Sequence, residues 1–177
     1  MRATLLFVVL FASRPLFAQN DSILNNEFAH DFYPVWQRAS QYLLDVAEIM
    51  PADKYGYQPS EEVFTFGEQL MHITANLTYL NANYILGQEP ENLDLDVNNR
   101  SKEEIVNNLK TAIATVDRSF LALEPGEENE PLQLFGRIDA DKKRVLMLMR
   151  DHMTHHRGQL VVYLRLNGIQ PPRYVGW

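Results

Sequence analysis

The chain contains no cysteine among its 177 residues. Disulfide bonds, thiolate metal ligands and a cysteine nucleophile are therefore excluded. A metal ion, if one is bound, has to be held by nitrogen and oxygen ligands. Hydrophobic residues make up 46% of the chain and charged residues 22%, which is typical of a globular protein. The length is sufficient for one domain with a buried core.

Long hydrophobic runs are scarce. Residues 1–12 contain one basic residue, Arg2, followed by an apolar segment that is too short to span a bilayer as a stable anchor. This pattern is typical of a secretory signal peptide, with cleavage predicted after Ala18. No cysteine follows directly, so lipoprotein anchoring at that point is excluded. We predict a signal peptide at residues 1–18, a single domain at residues 19–177, export to the periplasm or the extracellular space, and no stable membrane anchor after cleavage.

Basic residues are in the minority, with 16 Lys and Arg against 23 Asp and Glu and a formal net charge of −7. Removal of residues 1–18 takes away Arg2 and Arg14 and no acidic residue, which leaves 14 basic residues and a formal charge of −9. An acidic surface argues against contact with a phosphate backbone, so we expect no nucleic-acid partner.

A strand pattern is absent as well, and apolar residues instead recur at helical spacing in four segments. The segments are residues 27–50, 65–86, 101–123 and a last one from Asp139 or Asp141 to Asn167. Capping boxes begin at Thr65 and at Ser101, and Gly87 and Gly168 are suited to end the helices that precede them. Pro34 either begins the first helix or bends it.

The three connections between these segments are expected to be loops. They are residues 51–64, 88–100 and 125–138. At about 12 to 14 residues they are longer than a simple up-and-down bundle needs, so one of them could cross over and the helix order stays open. We predict an all-α fold, an antiparallel-type four-helix bundle with long interhelical connections.

Three of the five histidines fall in one short stretch of the last helix, His152-Met-Thr-His-His156. At about 100° per residue, His152 and His156 share a stripe that should face the core. The stripe also contains Val145, Met149 and Tyr163. Two histidines four residues apart on one helix face can both reach one metal ion. His155 falls on the flank of the stripe.

The same spacing also fits polar side chains at a helix edge that bond to water or carbonyl groups, because HxxxH alone is a weak signal. Clustering on a core-facing stripe favours a site, since a buried imidazole needs partners. His72 lies about 100° from the apolar face of the second helix, on a polar stripe that is either solvated or lines a cavity. That stripe also carries Thr65, Glu68, Gln69, Asn76, Tyr79 and Asn83. His30 is not expected to be a ligand.

Two segments carry a resemblance to a known family. The first is Gly67-Glu-Gln-Leu-Met-His72, in which a histidine follows a Gly-Glu turn. The second, which is more specific, is the HxxxHRGQL segment from His152 to Leu160, followed by Tyr163-Leu-Arg-Leu-Asn-Gly-Ile-Gln-Pro-Pro172. In this order, on helices two and four, they resemble the DinB family of DinB/YfiT-like metalloenzymes. The likeness covers about residues 27–173.

The resemblance implies a four-helix bundle of the DinB/YfiT-like type that holds a divalent metal ion with three histidines. Carried over by motif, the ligands are His72 from the second helix and His152 and His156 from the last. The resemblance also implies that a homodimer is common and that relatives include thiol-dependent transferases and a metal-dependent isomerase. The predicted signal peptide departs from the usual cytoplasmic setting of the family, which argues against a cytosolic thiol as co-substrate.

The predicted function is that of a divalent-metal-dependent enzyme, a hydrolase or group transferase with a small-molecule substrate. Nickel, zinc, iron and manganese are all compatible with nitrogen ligands. Glu68, Asn76 and Gln159 are predicted to hydrogen-bond to the ligand histidines. Arg157 is predicted to form an ion pair or a helix cap. The alternatives are a non-catalytic metal-binding protein and a helical interaction protein on the same fold.

Overall fold

The structure is a computed structural model and describes residues 24–175. Four helices account for most of it: α1 (Glu27–Ile49), α2 (Phe66–Leu80), α3 (Lys102–Ala122) and α4 (Lys142–Leu166). The predicted all-α four-helix fold is confirmed. None of the helices within residues 24–175 combines the length and the hydrophobicity that a membrane span requires. The predicted signal peptide and its cleavage point after Ala18 lie outside the described residues.

The helices begin where a side-chain oxygen can accept a hydrogen bond from the first free backbone N–H groups. Asn26 Oδ1 accepts from the backbone N of Ala29 at 3.0 Å and caps α1. Both predicted capping boxes are present, at Thr65 for α2 and at Ser101 for α3. Asp141 is the residue that caps α4. The caps are local, which is why the helix starts could be predicted from the sequence.

Two backbone details differ from a plain helix. The helix that begins as α2 continues as a π-helix over Asn81–Leu86 and ends at Gly87, which has a φ of 63°. The predicted end of this segment is therefore correct, although its last turn is wider than an α-helix. Pro34 lies inside α1 and is exposed, so the backbone hydrogen bond that proline cannot donate is lost on the solvent side.

The expectation of a plain loop over residues 125–138 is wrong. After a short 3₁₀ turn, this region forms a hairpin of two antiparallel strands, β1 (Pro131–Leu134) and β2 (Ile138–Asp141). Apolar residues alternate with polar ones along both strands, but each strand has only four residues, which is too short for the alternation to stand out in the sequence. The backbone N of Phe135, at the turn, donates to the Tyr84 hydroxyl at 2.9 Å and ties the hairpin to the π-helix.

The helix order, left open by the sequence, follows from the packing. α1 and α2 each pack against both α3 and α4, so α1 and α2 lie diagonally across the bundle. Gly67 and Ile105 are in contact near the starts of α2 and α3, so these two helices run parallel and the chain crosses back between them. The Tyr163 hydroxyl donates to the Phe64 carbonyl at 3.0 Å, so the end of α4 lies beside the start of α2. α2 and α4 are therefore antiparallel, and their middle turns face each other.

The core lies between the four helices and includes three large, fully buried aromatic side chains. These are Trp36, Phe66 and Phe120. On α4, the predicted core-facing residues Val145, Met149 and Tyr163 are all buried. The stripe that also carries two histidines therefore does face the bundle, as predicted.

Candidate metal centre

The contact between α2 and α4 brings together His72, His152 and His156. The Nε2 atoms of His72 and His152 are 3.1 Å apart, and those of His152 and His156 are 3.2 Å apart. All three side chains are half-buried, and each offers a ring nitrogen within 4.8 Å of the others. The prediction from helix periodicity that His152 and His156 share one face of α4 is confirmed. The polar stripe of α2 faces α4 at His72.

The nitrogen separations match those of ligands that share one ion. Imidazole nitrogens bind a divalent metal at about 2.1 Å, so two ligands at an angle of about 90–110° stand about 3.0–3.4 Å apart. The two separations that involve Nε2 of His152 fall in this range. The ring centroids are 4.5–4.9 Å apart, with His156 edge to face against both His72 and His152 and a tilted contact between His72 and His152. The donor set therefore fits a divalent ion of the first transition series or zinc.

The electrostatics of the cluster keep its rings neutral. Desolvation by burial, reinforced by the neighbouring histidines, lowers the pKa of His152 to about 4. Burial also lowers the pKa of His72, and burial together with the nearby His72 lowers the pKa of His156. A neutral imidazole keeps a lone pair available to a metal, whereas a protonated one does not. The site is therefore ready to bind a cation at neutral pH.

His156 is held by two amide side chains. Its Nδ1 lies 2.6 Å from Oε1 of Gln69 on α2 and 3.1 Å from Oε1 of Gln159 on α4. Both oxygens are acceptors, so Nδ1 carries the proton and donates. The Nε2 of the neutral ring is then unprotonated and faces the other two histidines. The predicted role of Gln159 as a hydrogen-bonding partner is confirmed.

Gln69 is a hydrogen-bond partner of the cluster that was not predicted from the sequence. Its place on the polar stripe of α2 was the available signal, but the stripe does not reveal which side chain faces α4. Glu68, predicted as a partner of His72, instead accepts the Thr65 backbone N–H at 2.7 Å in the capping box. Asn76 has a buried Oδ1 without a hydrogen-bond partner, so its predicted bond to a ligand histidine is not formed.

Among residues 24–175, Arg157 forms no ion pair and caps no helix end, so that prediction is wrong. Its side chain is buried, and its Nη1 donates to the backbone carbonyl of Ala39 on α1 at 2.8 Å. Its guanidinium group lies 4.7 Å from the centre of the Tyr42 ring. The periodicity of α4 could not predict this hydrogen bond, because the acceptor is a main-chain oxygen of another helix. Arg157 therefore connects α4 to α1 next to the histidine cluster.

The remaining two histidines lie outside the cluster. His155 is exposed, and its Nε2 is 3.4 Å from Nε2 of Gln159. His30 is exposed and lies beside Asp31, with 3.1 Å between the ring nitrogen and the carboxylate. No aspartate or glutamate of the described residues joins the three-histidine group. The described residues could therefore supply three nitrogen ligands, and an ion held by these three alone would keep further coordination positions for other ligands.

An aromatic side chain stands beside the cluster. The Phe64 ring is 5.5 Å from the His72 ring and is 48% exposed. The bond from Tyr163 to the Phe64 carbonyl fixes this part of the chain against the end of α4. The edge of the cluster is therefore apolar and reachable from solvent.

The chain matches the DinB family model over residues 23–176. No curated protein matches it. Among solved structures, a DinB-like protein from Bacillus cereus has a TM-score of 0.71 at 15% sequence identity, covering 81% of this chain and 95% of that chain. A DinB-like protein from Bacillus subtilis has a TM-score of 0.64 at 22% identity, covering 84% of this chain and 98% of that one. At these identities the likeness to the solved structures shows the fold.

Proposed function

We propose that this chain, which belongs to the DinB family, is a divalent-metal-dependent enzyme whose ion is held by His72, His152 and His156. The observation that carries the proposal is the convergence of three neutral imidazoles with Nε2 separations of 3.1 and 3.2 Å. Nitrogen lone pairs that face one another at these distances repel unless a cation or a proton lies between them, and a divalent ion would satisfy all three rings at once. Nickel, zinc, iron and manganese all suit this donor set.

The open side of the site supports catalysis over passive storage. Structural metal sites are closed by four protein ligands, whereas catalytic sites have three and keep a position for water or substrate. Among the residues that the structure describes, this cluster has three nitrogen donors and no carboxylate. Its rings are only half-buried, so a small molecule could reach them.

The reaction class we propose is hydrolysis or group transfer on a small molecule. A bound divalent ion polarises a substrate oxygen or lowers the pKa of a water molecule, which is the chemistry that such reactions need. Gln69 and Gln159 orient His156, and the exposed Phe64 ring can contact an apolar part of a substrate next to the ion. The signal peptide predicted at residues 1–18 would place this activity in the periplasm or outside the cell. We also propose that the protein acts as a homodimer.

The first test is the metal content of the purified protein, measured by elemental analysis. The variant is His152→Ala, and the matched control is His155→Ala, which removes an exposed histidine of the same helix outside the cluster. We expect about one divalent ion per chain in the parent and in the control, as for one three-histidine site, and loss of the ion in His152→Ala. A parent that purifies without metal and takes up none of Ni²⁺, Zn²⁺, Fe²⁺ or Mn²⁺ would refute the metal site.

The second test separates an enzyme from a non-catalytic metal-binding protein. The relaxation rate of water protons is measured on the Mn²⁺-loaded protein, since only an ion with an exchangeable water enhances it strongly. Strong enhancement, together with metal-dependent turnover in a panel of small esters, amides and phosphoesters, is the expected result. A bound ion without enhancement would indicate a closed shell and a storage or structural role.

A further inference from the structure

Gln69 is a polar side chain buried where α2 meets α4. It is 3% exposed, and its Oε1 lies 2.6 Å from Nδ1 of His156. Among the hydrogen bonds of the cluster, this is the shortest, and it joins the two helices that carry the three histidines. A buried amide in such a position acts on the ring that it touches, because no water competes for the bond.

The proton position on His156 follows from these contacts. A neutral imidazole has one N–H, on either Nδ1 or Nε2. If Nδ1 were unprotonated, its lone pair would face the two amide oxygens of Gln69 and Gln159 at 2.6 and 3.1 Å. The lone pair of the ring nitrogen and those of the amide oxygens would repel one another at such distances. A buried hydrogen-bond acceptor that lacks a donor also lowers the free energy of unfolding. The Nδ1–H form is therefore favoured, and it leaves the Nε2 lone pair pointing at His72 and His152.

Of the two amides, Gln69 has the larger effect. Its oxygen is closer to Nδ1 by half an ångström, and its side chain is buried, whereas Gln159 is only half-buried. Gln159 also turns its amide nitrogen toward His155 at 3.4 Å, so it bridges two rings. In addition, Gln69 comes from the opposite helix, so its bond fixes the ring of His156 relative to His72.

We propose that Gln69 is a positioning residue, which holds the His156 proton on Nδ1 and thereby presents Nε2 to the ion. The proposal rests on the three-histidine metal site proposed above. Hydrogen-bond partners of metal-binding histidines typically change metal affinity about 10–100-fold when they are removed. We expect an effect of that size for Gln69 and a smaller one for Gln159.

The test uses two substitutions of Gln69 and one control. Gln69→Met keeps a long, unbranched side chain but removes the amide oxygen, and Gln69→Glu keeps an acceptor in its place. Gln159→Met removes the more distant acceptor. Long-range ¹H–¹⁵N correlation spectra of the chelator-treated protein report which nitrogen of His156 carries the proton. Competition with a chelator gives the affinity for Zn²⁺.

The expected results differ between the variants. The parent shows a single Nδ1–H form, Gln69→Met shows a mixture of both forms and binds Zn²⁺ about 10–100-fold more weakly, and Gln69→Glu keeps the Nδ1–H form and binds at least as tightly as the parent. Gln159→Met changes the affinity by less than the Gln69→Met variant does. A purely structural role for Gln69 would make Gln69→Met and Gln69→Glu equally weak.

Two results would overturn the proposal. One is a parent protein with the proton of His156 on Nε2, which is measurable even if a variant fails to fold. The other is a Gln69→Met variant with an unchanged proton position and unchanged Zn²⁺ affinity. Because the proton position is read without metal, a parent that has the Nδ1–H form but binds no Zn²⁺ would refute the metal site and leave the positioning role of Gln69 supported.

Discussion

The neutral histidine cluster makes the stability of the metal-free protein depend on pH. The perturbation is His152→Gln, which removes the ring whose pKa is lowered most, to about 4 from an ordinary value of 6.5. Above pH 6.5 this ring is neutral in both the folded and the unfolded chain. As the pH falls from 6.5 to about 4, the unfolded chain binds a proton that the folded chain does not. The free energy of unfolding therefore falls over that range and the loss is complete below it.

The size of the effect follows from the pKa difference. Each pKa unit corresponds to about 1.4 kcal/mol, so the full difference would be about 3 kcal/mol. The ring is only half-buried, and solvent screening reduces this value. We expect the parent to lose about 1–2 kcal/mol more than His152→Gln between pH 7 and pH 4.

The assay is urea denaturation of both proteins in the presence of a chelator at a series of pH values. Carboxylates that titrate in the same range are common to both proteins, so their contribution cancels in the difference. The control is His155→Gln, the same substitution at an exposed position three residues away on α4. It shows how much of the effect comes from losing any histidine from this helix. Parallel curves for the parent and His152→Gln from pH 7 to pH 4 would refute the reasoning that burial keeps the cluster neutral.

Two further predictions concern helix packing and capping, and both are checked by urea denaturation at pH 7. Arg157→Met removes a buried charged hydrogen bond to Ala39 and the contact with the Tyr42 ring, so we expect a loss of about 2 kcal/mol; an unchanged midpoint would contradict this. Thr65→Ala removes the side-chain cap of α2 and should cost about 1 kcal/mol, whereas Thr65→Ser keeps the acceptor and most of the stability. Equal losses in the two Thr65 variants would show that the hydroxyl does not act as a cap.

The helices could be predicted because their signals are local. The residues that start α2 and α3, Thr65 and Ser101, act on backbone groups within three positions of themselves. Gly87 ends the second helical segment through its own positive φ. The hairpin formed by β1 and β2 has only a short signal, since its apolar residues alternate over just four positions in each strand and its turn bonds to Tyr84, which is distant in sequence.

The histidine cluster was predictable in part. The periodicity of α4 separates His156 from its neighbour His155, because the two side chains lie about 100° apart. His72 could be identified as a ligand only through the family resemblance, since its polar stripe on α2 is equally compatible with a solvated surface. Gln69 could not be identified from the sequence because its role depends on how α2 is rotated against α4. That rotation is set by side chains of all four helices together.

The hydrogen bond from Arg157 to α1 affects which of two adjacent histidines of α4 enters the cluster. Consecutive residues His155, His156 and Arg157 point in three directions around α4, and a turn of the helix by one residue would bring His155 to the place of His156. The guanidinium bond to the Ala39 carbonyl, together with the buried apolar side chains of α4, resists rotation of α4 about its own axis. The selection between two adjacent histidines therefore depends in part on a main-chain oxygen of α1, a helix that contributes no ring to the cluster.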